Sequence, residues 1–179
     1  ARNLTLIDNL IDKYDIDGNI TFTNTTWGEI KFLSGISGTG SYLTGRNYSD
    51  VRILNNSVYV IGSGKAGMNK SANITLYNIG NRGFTTPTML RDGIVCPAGI
   101  CTNYTALTAT NVIFGVTGWS NYSIGNDTTK LIACGNITQP GTYTLLNNVN
   151  SAGTCFNITS DNVVLNGAGF TIDGDDSGT

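Results

Sequence analysis

The stretch Val112-Ile-Phe-Gly-Val-Thr-Gly-Trp-Ser-Asn-Tyr-Ser-Ile124 decides the fold class of this 179-residue chain. Val112, Phe114 and Val116 recur at every second position, and Trp119, Tyr122 and Ile124 follow. An apolar period of two is the mark of a strand with one buried face. The same signal recurs upstream. Ile20 and Phe22 alternate before Asn24, and Ile30, Phe32 and Leu33 follow a Trp27-Gly28 turn. Val51, Ile53, Val58, Val60 and Ile61 fall on two strands around Asn55-Asn56, and Ile74, Leu76 and Ile79 form another. Six or seven short strands separated by Gly-, Asn- and Ser-rich turns read as an Ig-like β-sandwich over residues 19–127.

Composition agrees with an all-β chain. Apolar residues reach 40%, enough for a packed core, while charged residues are only 12%. Thr, Asn, Ser and Gly fill the polar positions, Glu29 is the single glutamate, and residues that favour helices are sparse. The net charge of −2 comes with no basic block, which argues against a nucleic-acid partner. Apolar runs stop at about four residues, far short of the ~20 that span a bilayer, so no membrane-spanning segment is expected. No leader peptide is visible, and in a secreted protein Ala1 would be a processed N-terminus.

Two features point outside the cell. Twelve Asn-X-Ser/Thr triplets begin at Asn3, Asn19, Asn24, Asn47, Asn55, Asn69, Asn73, Asn103, Asn121, Asn126, Asn136 and Asn157, none with Pro in the middle. That is far more than composition alone would scatter, so they are read as acceptors for covalent N-glycans. The cysteines are even in number and fall into two local groups. Cys96 and Cys101 bracket a Pro-Ala-Gly-Ile turn, and Cys134 and Cys155 flank a later segment. Proximity favours Cys96–Cys101 and Cys134–Cys155 among the three pairings, and the spacing lacks the paired C-x2-C of a zinc site.

The ends of the chain differ in texture from its middle. In residues 1–18, Leu4, Ile7, Ile11 and Tyr14 follow helical spacing, while Leu4 and Leu6 begin an alternation. A short helix, an irregular arm and a strand donated to a neighbour all remain open. Residues 128–179 carry short apolar triplets between Asn-Gly, Asp-Asn and Asp-Gly corners. They read as the start of a right-handed parallel β-helix of about one coil, with Phe156, Ile158, Val163, Leu165, Phe170 and Ile172 facing inward. One coil cannot bury those residues alone. Either an adjacent subunit covers them or the natural chain continues past Thr179.

Three stretches carry a family resemblance: Asn69-Lys-Ser-Ala-Asn-Ile-Thr-Leu-Tyr-Asn-Ile79, Leu90-Arg-Asp-Gly-Ile-Val-Cys-Pro-Ala-Gly-Ile-Cys101 and Val112 to Ser123. Together they resemble a β-sandwich module of large archaeal cell-surface proteins. Cys134 to Gly174 is similar to the pectate-lyase-like β-helix repeats of such proteins. The resemblance implies an S-layer-like protein or a surface filament, and it does not choose between them.

Little in the sequence suggests catalysis. There is no histidine, which removes Ser-His, Cys-His and His-ligated metal mechanisms. Gly62-Ser-Gly-Lys-Ala-Gly67 matches G-x-G-x-x-G after a strand, but a strand pattern follows where a nucleotide site needs a helix. It is read as a hairpin or loop. Asp12, Asp15, Asp17 and Asn19 around Gly18 lack the EF-hand pattern, which leaves a looser calcium site there or at Asp173, Asp175 and Asp176. A polysaccharide-degrading β-helix enzyme would need paired carboxylates on a groove of several coils, and none is evident. The expectation is a non-enzymatic structural subunit of an extracellular surface assembly, polymerised with copies of itself. No cofactor is expected. The alternative is a glycan-binding adhesin module using Trp27, Trp119 or exposed tyrosines.

Overall fold

The computed structural model describes residues 2–3, 10–43 and 49–174, with the backbone alone for residues 2–3, 10–13 and 40–42. The chain divides into two compact units, Ala1–Asn126 and Asp127–Thr179. The first unit contains β1 (Arg2–Asn3), β2 (Leu10–Ile16), β3 (Ile20–Asn24), β4 (Gly28–Phe32), β5 (Ile36–Tyr42), β6 (Val51–Leu54) and β7 (Ser57–Val60). It continues through β8 (Ala72–Leu76), β9 (Pro87–Arg91), β10 (Ile94–Val95), β11 (Cys101–Asn103), β12 (Val112–Val116) and β13 (Asn121–Asn126).

These strands build a β-sandwich. One sheet has the order β1-β3-β4-β8-β12-β11, and the other has the order β10-β9-β13-β7-β6. The period-two residues meet in the middle. Ile20, Phe22, Ile30, Phe32, Ile74, Leu76, Val112, Phe114 and Val116 of the first sheet are buried with Val58, Val60, Tyr122 and Ile124 of the second. Aromatic rings bridge the layers, with Phe114 and Tyr122 centroids 6.4 Å apart and Trp119 5.3 Å from Phe32 and 6.0 Å from Tyr122. Each such ring taken from water stabilises the sandwich by about 1.5–3 kcal/mol. The buried Tyr122 keeps its hydroxyl satisfied by donating to the Gly118 carbonyl at 2.5 Å, a tyrosine corner.

Turn chemistry sets the hairpins. Asn24 Oδ1 accepts from the Thr26 and Trp27 amides, closing the β3–β4 turn. Gly28 then lies against β8, where any side chain would strike the Thr75 carbonyl. Asp92 and Gly93 both have positive φ (53° and 80°) in the two-residue β9–β10 turn, the geometry that matches strand twist.

One reading the sequence leaves open is narrowed here. Residues 10–16 are strand β2, antiparallel to β5, and not a helix. β1 pairs in parallel with β3 of its own chain. For Ile11 and Tyr14 the ladder partners outweigh the helical spacing, because local propensity is a weak prior against tertiary pairing; Leu4 and Ile7 lie outside the described residues. The segment Gly62–Gly67 leads into a three-residue 3-10 helix, Ala66–Met68, and then into β8.

The second unit holds β14 (Lys130–Leu131), β15 (Gly135–Ile137), β16 (Gly141–Leu145), β17 (Val149–Asn150), β18 (Phe156–Ile158), β19 (Val163–Asn166) and β20 (Ile172–Asp173). Every pairing among them is parallel: β14 with β16, β16 with β19, β15 with β18, and β17 with β20. Partners such as Gly135 and Phe156, Gly141 and Val163, and Val149 and Ile172 lie 21 to 23 residues apart in sequence. Residues 156–173 therefore stack on residues 135–150, and β14 adds a third parallel strand beside β16, so the unit has more than the one layer the sequence suggests. The buried layer is the earlier one: Ile137, Tyr143, Leu145 and Val149 are inside. Among the residues expected to face inward, Phe156, Val163 and Leu165 are half-buried, whereas Ile158, Phe170 and Ile172 are exposed. They belong to the last described layer, which has a neighbour on one side.

Candidate functional site: an asparagine-studded surface and a polar cleft

Both expected disulfides are present, and each sits where two elements must be held. Cys96–Cys101 joins the end of β10 to the start of β11, and so ties an edge of one sheet to an edge of the other. The Ile100 and Cys101 amides both donate to the Pro97 carbonyl, forming the tight turn between them. Cys134–Cys155 links the residues just before β15 and β18, with Cα atoms 4.6 Å apart. Its 21-residue separation equals the register offset of the two parallel strands.

The twelve sequon asparagines do not share one environment. Asn3 and Asn47 have no described side chain. Asn19, Asn55, Asn69, Asn103, Asn121, Asn126, Asn136 and Asn157 are exposed, and Asn24 and Asn73 are partly buried. In several, the carbonyl oxygen is held by the protein. Asn69 Oδ1 accepts from the Trp119 amide at 2.8 Å. Asn126 Oδ1 accepts from the Thr85 and Thr86 amides at 2.9 and 3.0 Å. Asn121 Oδ1 accepts from the Ser57 hydroxyl, Asn55 Oδ1 from Arg82, and Asn103 Oδ1 from the Thr105 amide. Such bonds orient the side chain and leave Nδ2, the nitrogen a glycan would take, pointing elsewhere. Asn24 is the exception, because its Nδ2 donates to the Ile53 carbonyl at 3.4 Å. Asn136 and Asn157 occupy matching positions of β15 and β18, directly beside one another.

A polar cleft of about 350 Å³ is lined by Tyr14, Asp15, Ser37, Gly38, Thr39, Gly64, Lys65 and Gly67. Beside it lies Asp50, 1% exposed, whose Oδ2 accepts from the Tyr14 hydroxyl at 2.7 Å and from Lys65 Nζ at 2.6 Å. A buried carboxylate needs such donors. Burial, reinforced by the Asp50 carboxylate, pushes the Tyr14 hydroxyl well above the ordinary tyrosine range. The cleft presents hydroxyls, backbone, the Asp15 carboxylate and one ammonium, and it suits hydrogen bonding to a polar ligand.

The sequence reading missed this cluster. Tyr14 sits in the ambiguous N-terminal stretch, and Lys65 lies inside the G-x-G-x-x-G loop. Nothing local marks Asp50 as buried. It also missed an internal repeat, Cys-Gly-Asn-Ile-Thr at 134–138 and Cys-Phe-Asn-Ile-Thr at 155–159, whose period is the register offset of the second unit. Of the aromatics considered for glycan binding, Trp119 is buried in the core and Trp27 is half-buried at a turn, whereas Tyr104 is exposed. For the calcium readings, the side chain of Asp12, and Asp175 and Asp176 entirely, lie outside the described residues. Among the described residues no group of three or more His, Cys, Asp or Glu gathers to hold a metal ion. Nor is any helix among them long and apolar enough to cross a membrane.

Compared with known proteins, the chain matches no family model and no curated protein. By its fold it is an all-β, disulfide-bonded protein of a sandwich and a smaller parallel-paired unit.

Proposed function

We propose that this chain is a non-enzymatic, N-glycosylated structural subunit of an extracellular surface assembly, an S-layer-like lattice or a filament. The observation that carries this reading is the last layer of the second unit. Ile158, Val164, Phe170 and Ile172 are 46, 57, 41 and 43% exposed there, alongside strand edges that pair on one side only among the described residues. An apolar layer with open backbone edges is a surface that association would cover. We read the second unit as opening coils of a right-handed parallel β-helix, because its four ladders are all parallel, three of them at an offset of 21 to 23 residues, and parallel connections favour that hand. Another copy of the chain, or further coils of a longer natural chain, is the proposed cover.

The remaining support is chemical. Two disulfides suit an oxidising compartment. Eight exposed sequon asparagines would carry hydration that 12% charged residues do not supply. The sequence resemblance to archaeal surface proteins points the same way. Negative-stain imaging of native material tests the proposal: lattices or filaments are expected, and isolated monomers bearing no sugar would overturn it.

A second reading, a glycan-binding adhesin module, is favoured by the cleft beside Tyr14 and Lys65. Binding of an oligosaccharide panel, abolished by Lys65→Ala, would support that reading.

A further inference from the structure

Asn73 sits near the middle of the outer face of the six-stranded sheet. It pairs with Lys31 of β4 on one side and with Gly115 of β12 on the other. Its sequon partner Thr75 lies two residues on, and so on the same face. Gly115 leaves a gap in that face, and Tyr104 lies over it. A side chain at position 115 would meet the Tyr104 hydroxyl, and its Cβ would come 3.0 Å from Cζ and 3.2 Å from Cε2. The hydroxyl end of Tyr104 thus lies over the direct cross-strand partner of Asn73, and such partners stand about 5 Å apart. That ring is 54% exposed, an aromatic surface in solvent with nothing packed over much of it.

The amide of Asn73 is itself unbalanced. Its Oδ1 is buried with no hydrogen-bond partner. Its Nδ2 is not among the buried unpartnered atoms and makes no hydrogen bond, so it reaches solvent. A buried acceptor without a donor is a defect that an added group can repair. The first sugar of an N-glycan brings hydroxyl or acetamido donors next to the linkage. It also brings an apolar ring face of the kind that packs on tyrosine.

We infer that Asn73 is a glycan acceptor whose first sugar packs on the ring of Tyr104 and becomes part of the sheet's outer face. This rests on the proposal that the sequons are modified and names one site where the sugar has a built partner. In the transfer, a phosphate-activated, lipid-linked oligosaccharide is the donor and a separate transferase the catalyst. The Nδ2–C1 bond forms as the sugar's C1–O bond to phosphate breaks, and the amide proton leaves with the phosphate.

Glycopeptide mass spectrometry on the full chain, purified from a host that modifies Asn-X-Ser/Thr, is the first test, with occupied Asn73 expected. Thermal denaturation is the second. Tyr104→Ala should lower Tm at least twice as much in the glycosylated protein as in the Asn73→Gln background, and Tyr104→Phe should retain most of the wild-type value. Upfield ring-current shifts of the first sugar's protons should vanish in Tyr104→Ala. A bare Asn73 with other sequons occupied would overturn this inference alone. So would an occupied Asn73 whose Tm and sugar shifts do not respond to Tyr104→Ala. A chain bearing no sugar at any sequon would overturn the glycoprotein proposal as well.

Discussion

Asn56 grips the backbone of Ile124 from 68 residues away: its Nδ2 donates to the Ile124 carbonyl at 2.7 Å, and its Oδ1 accepts from the Ile124 amide at 3.2 Å. The side-chain amide thus acts as one more rung for β13, supplied from the β6–β7 turn. Asn56 can do this because it occupies the left-handed region (φ 57°), which turns its side chain back over the sheet. Asparagine tolerates that region better than most residues. Asn56→Ala should lose both bonds and add backbone strain, for a cost of about 2–3 kcal/mol in urea unfolding. Asn56→Gly loses the bonds but relieves the strain, and it should cost less than Asn56→Ala. Equal stability of wild type and Asn56→Ala would remove Ile124 from this account.

Alkaline pH should unfold the protein partly through Tyr14. Burial first, and then the Asp50 carboxylate, raise the folded-state pKa of this hydroxyl. A raised pKa contributes stability that is fully present below the unfolded value near 10 and is lost as pH rises towards the folded one. In that window Tyr14 adds a slope of about 1.4 kcal/mol per pH unit. Tyr14→Phe should flatten the fall in stability above pH 10, while lowering stability at neutral pH through the lost bond to Asp50. An unchanged alkaline slope in the variant would contradict this assignment.

The two disulfides should differ in weight. In the chain-entropy model the 21-residue separation of Cys134 and Cys155 is worth about 3 kcal/mol, and the five-residue separation of Cys96 and Cys101 about 2. A non-reduced digest should yield only those two linked peptides. Cys134→Ser/Cys155→Ser should loosen the second unit, read as faster amide exchange across β15 and β18, with β12 and β13 unaffected. A Cys96–Cys155 peptide would refute the pairing.

Asn69 separates a sequon's structural role from its sugar. Asn69→Ala and Ser71→Ala both destroy the triplet, but only the first removes the acceptor for the Trp119 amide. Asn69→Ala should therefore destabilise by about 1–2 kcal/mol more than Ser71→Ala in thermal unfolding. Matching losses would mean the hydrogen bond is worth nothing.

Charge placed on the last layer of the second unit should block association and spare the fold. Phe170→Asp and Ile172→Asp alter residues that are 41 and 43% exposed. Circular dichroism should stay native while sedimentation shifts to monomer. Assembly at wild-type concentrations would show that another surface is used.

The apolar spacing alone marks the residues of the sandwich's inner faces, and proximity in sequence favours the cysteine pairing that the structure shows. Val112, Phe114 and Val116 could only be buried together on a strand, because the side-chain period of two leaves one face for the core. Cys96 and Cys101 are so close in sequence that their pairing is a local event. The stacking of residues 135–150 under 156–173 was not read from the apolar spacing, because the strands are too short for periodicity to show it, although the repeated Asn-Ile-Thr after each cysteine carries the signal. Tertiary structure decided the rest. Residues 10–16 are strand because β5 lies beside them, and a ladder partner is invisible in local spacing. Asp50 is buried because Tyr14 and Lys65 arrive from 36 and 15 residues away to satisfy one oxygen. Gly115 reads as a gap in a strand until Tyr104 is seen lying over it. Burial and hydrogen bonding are properties of neighbours in space, and a single sequence specifies those neighbours only through the fold.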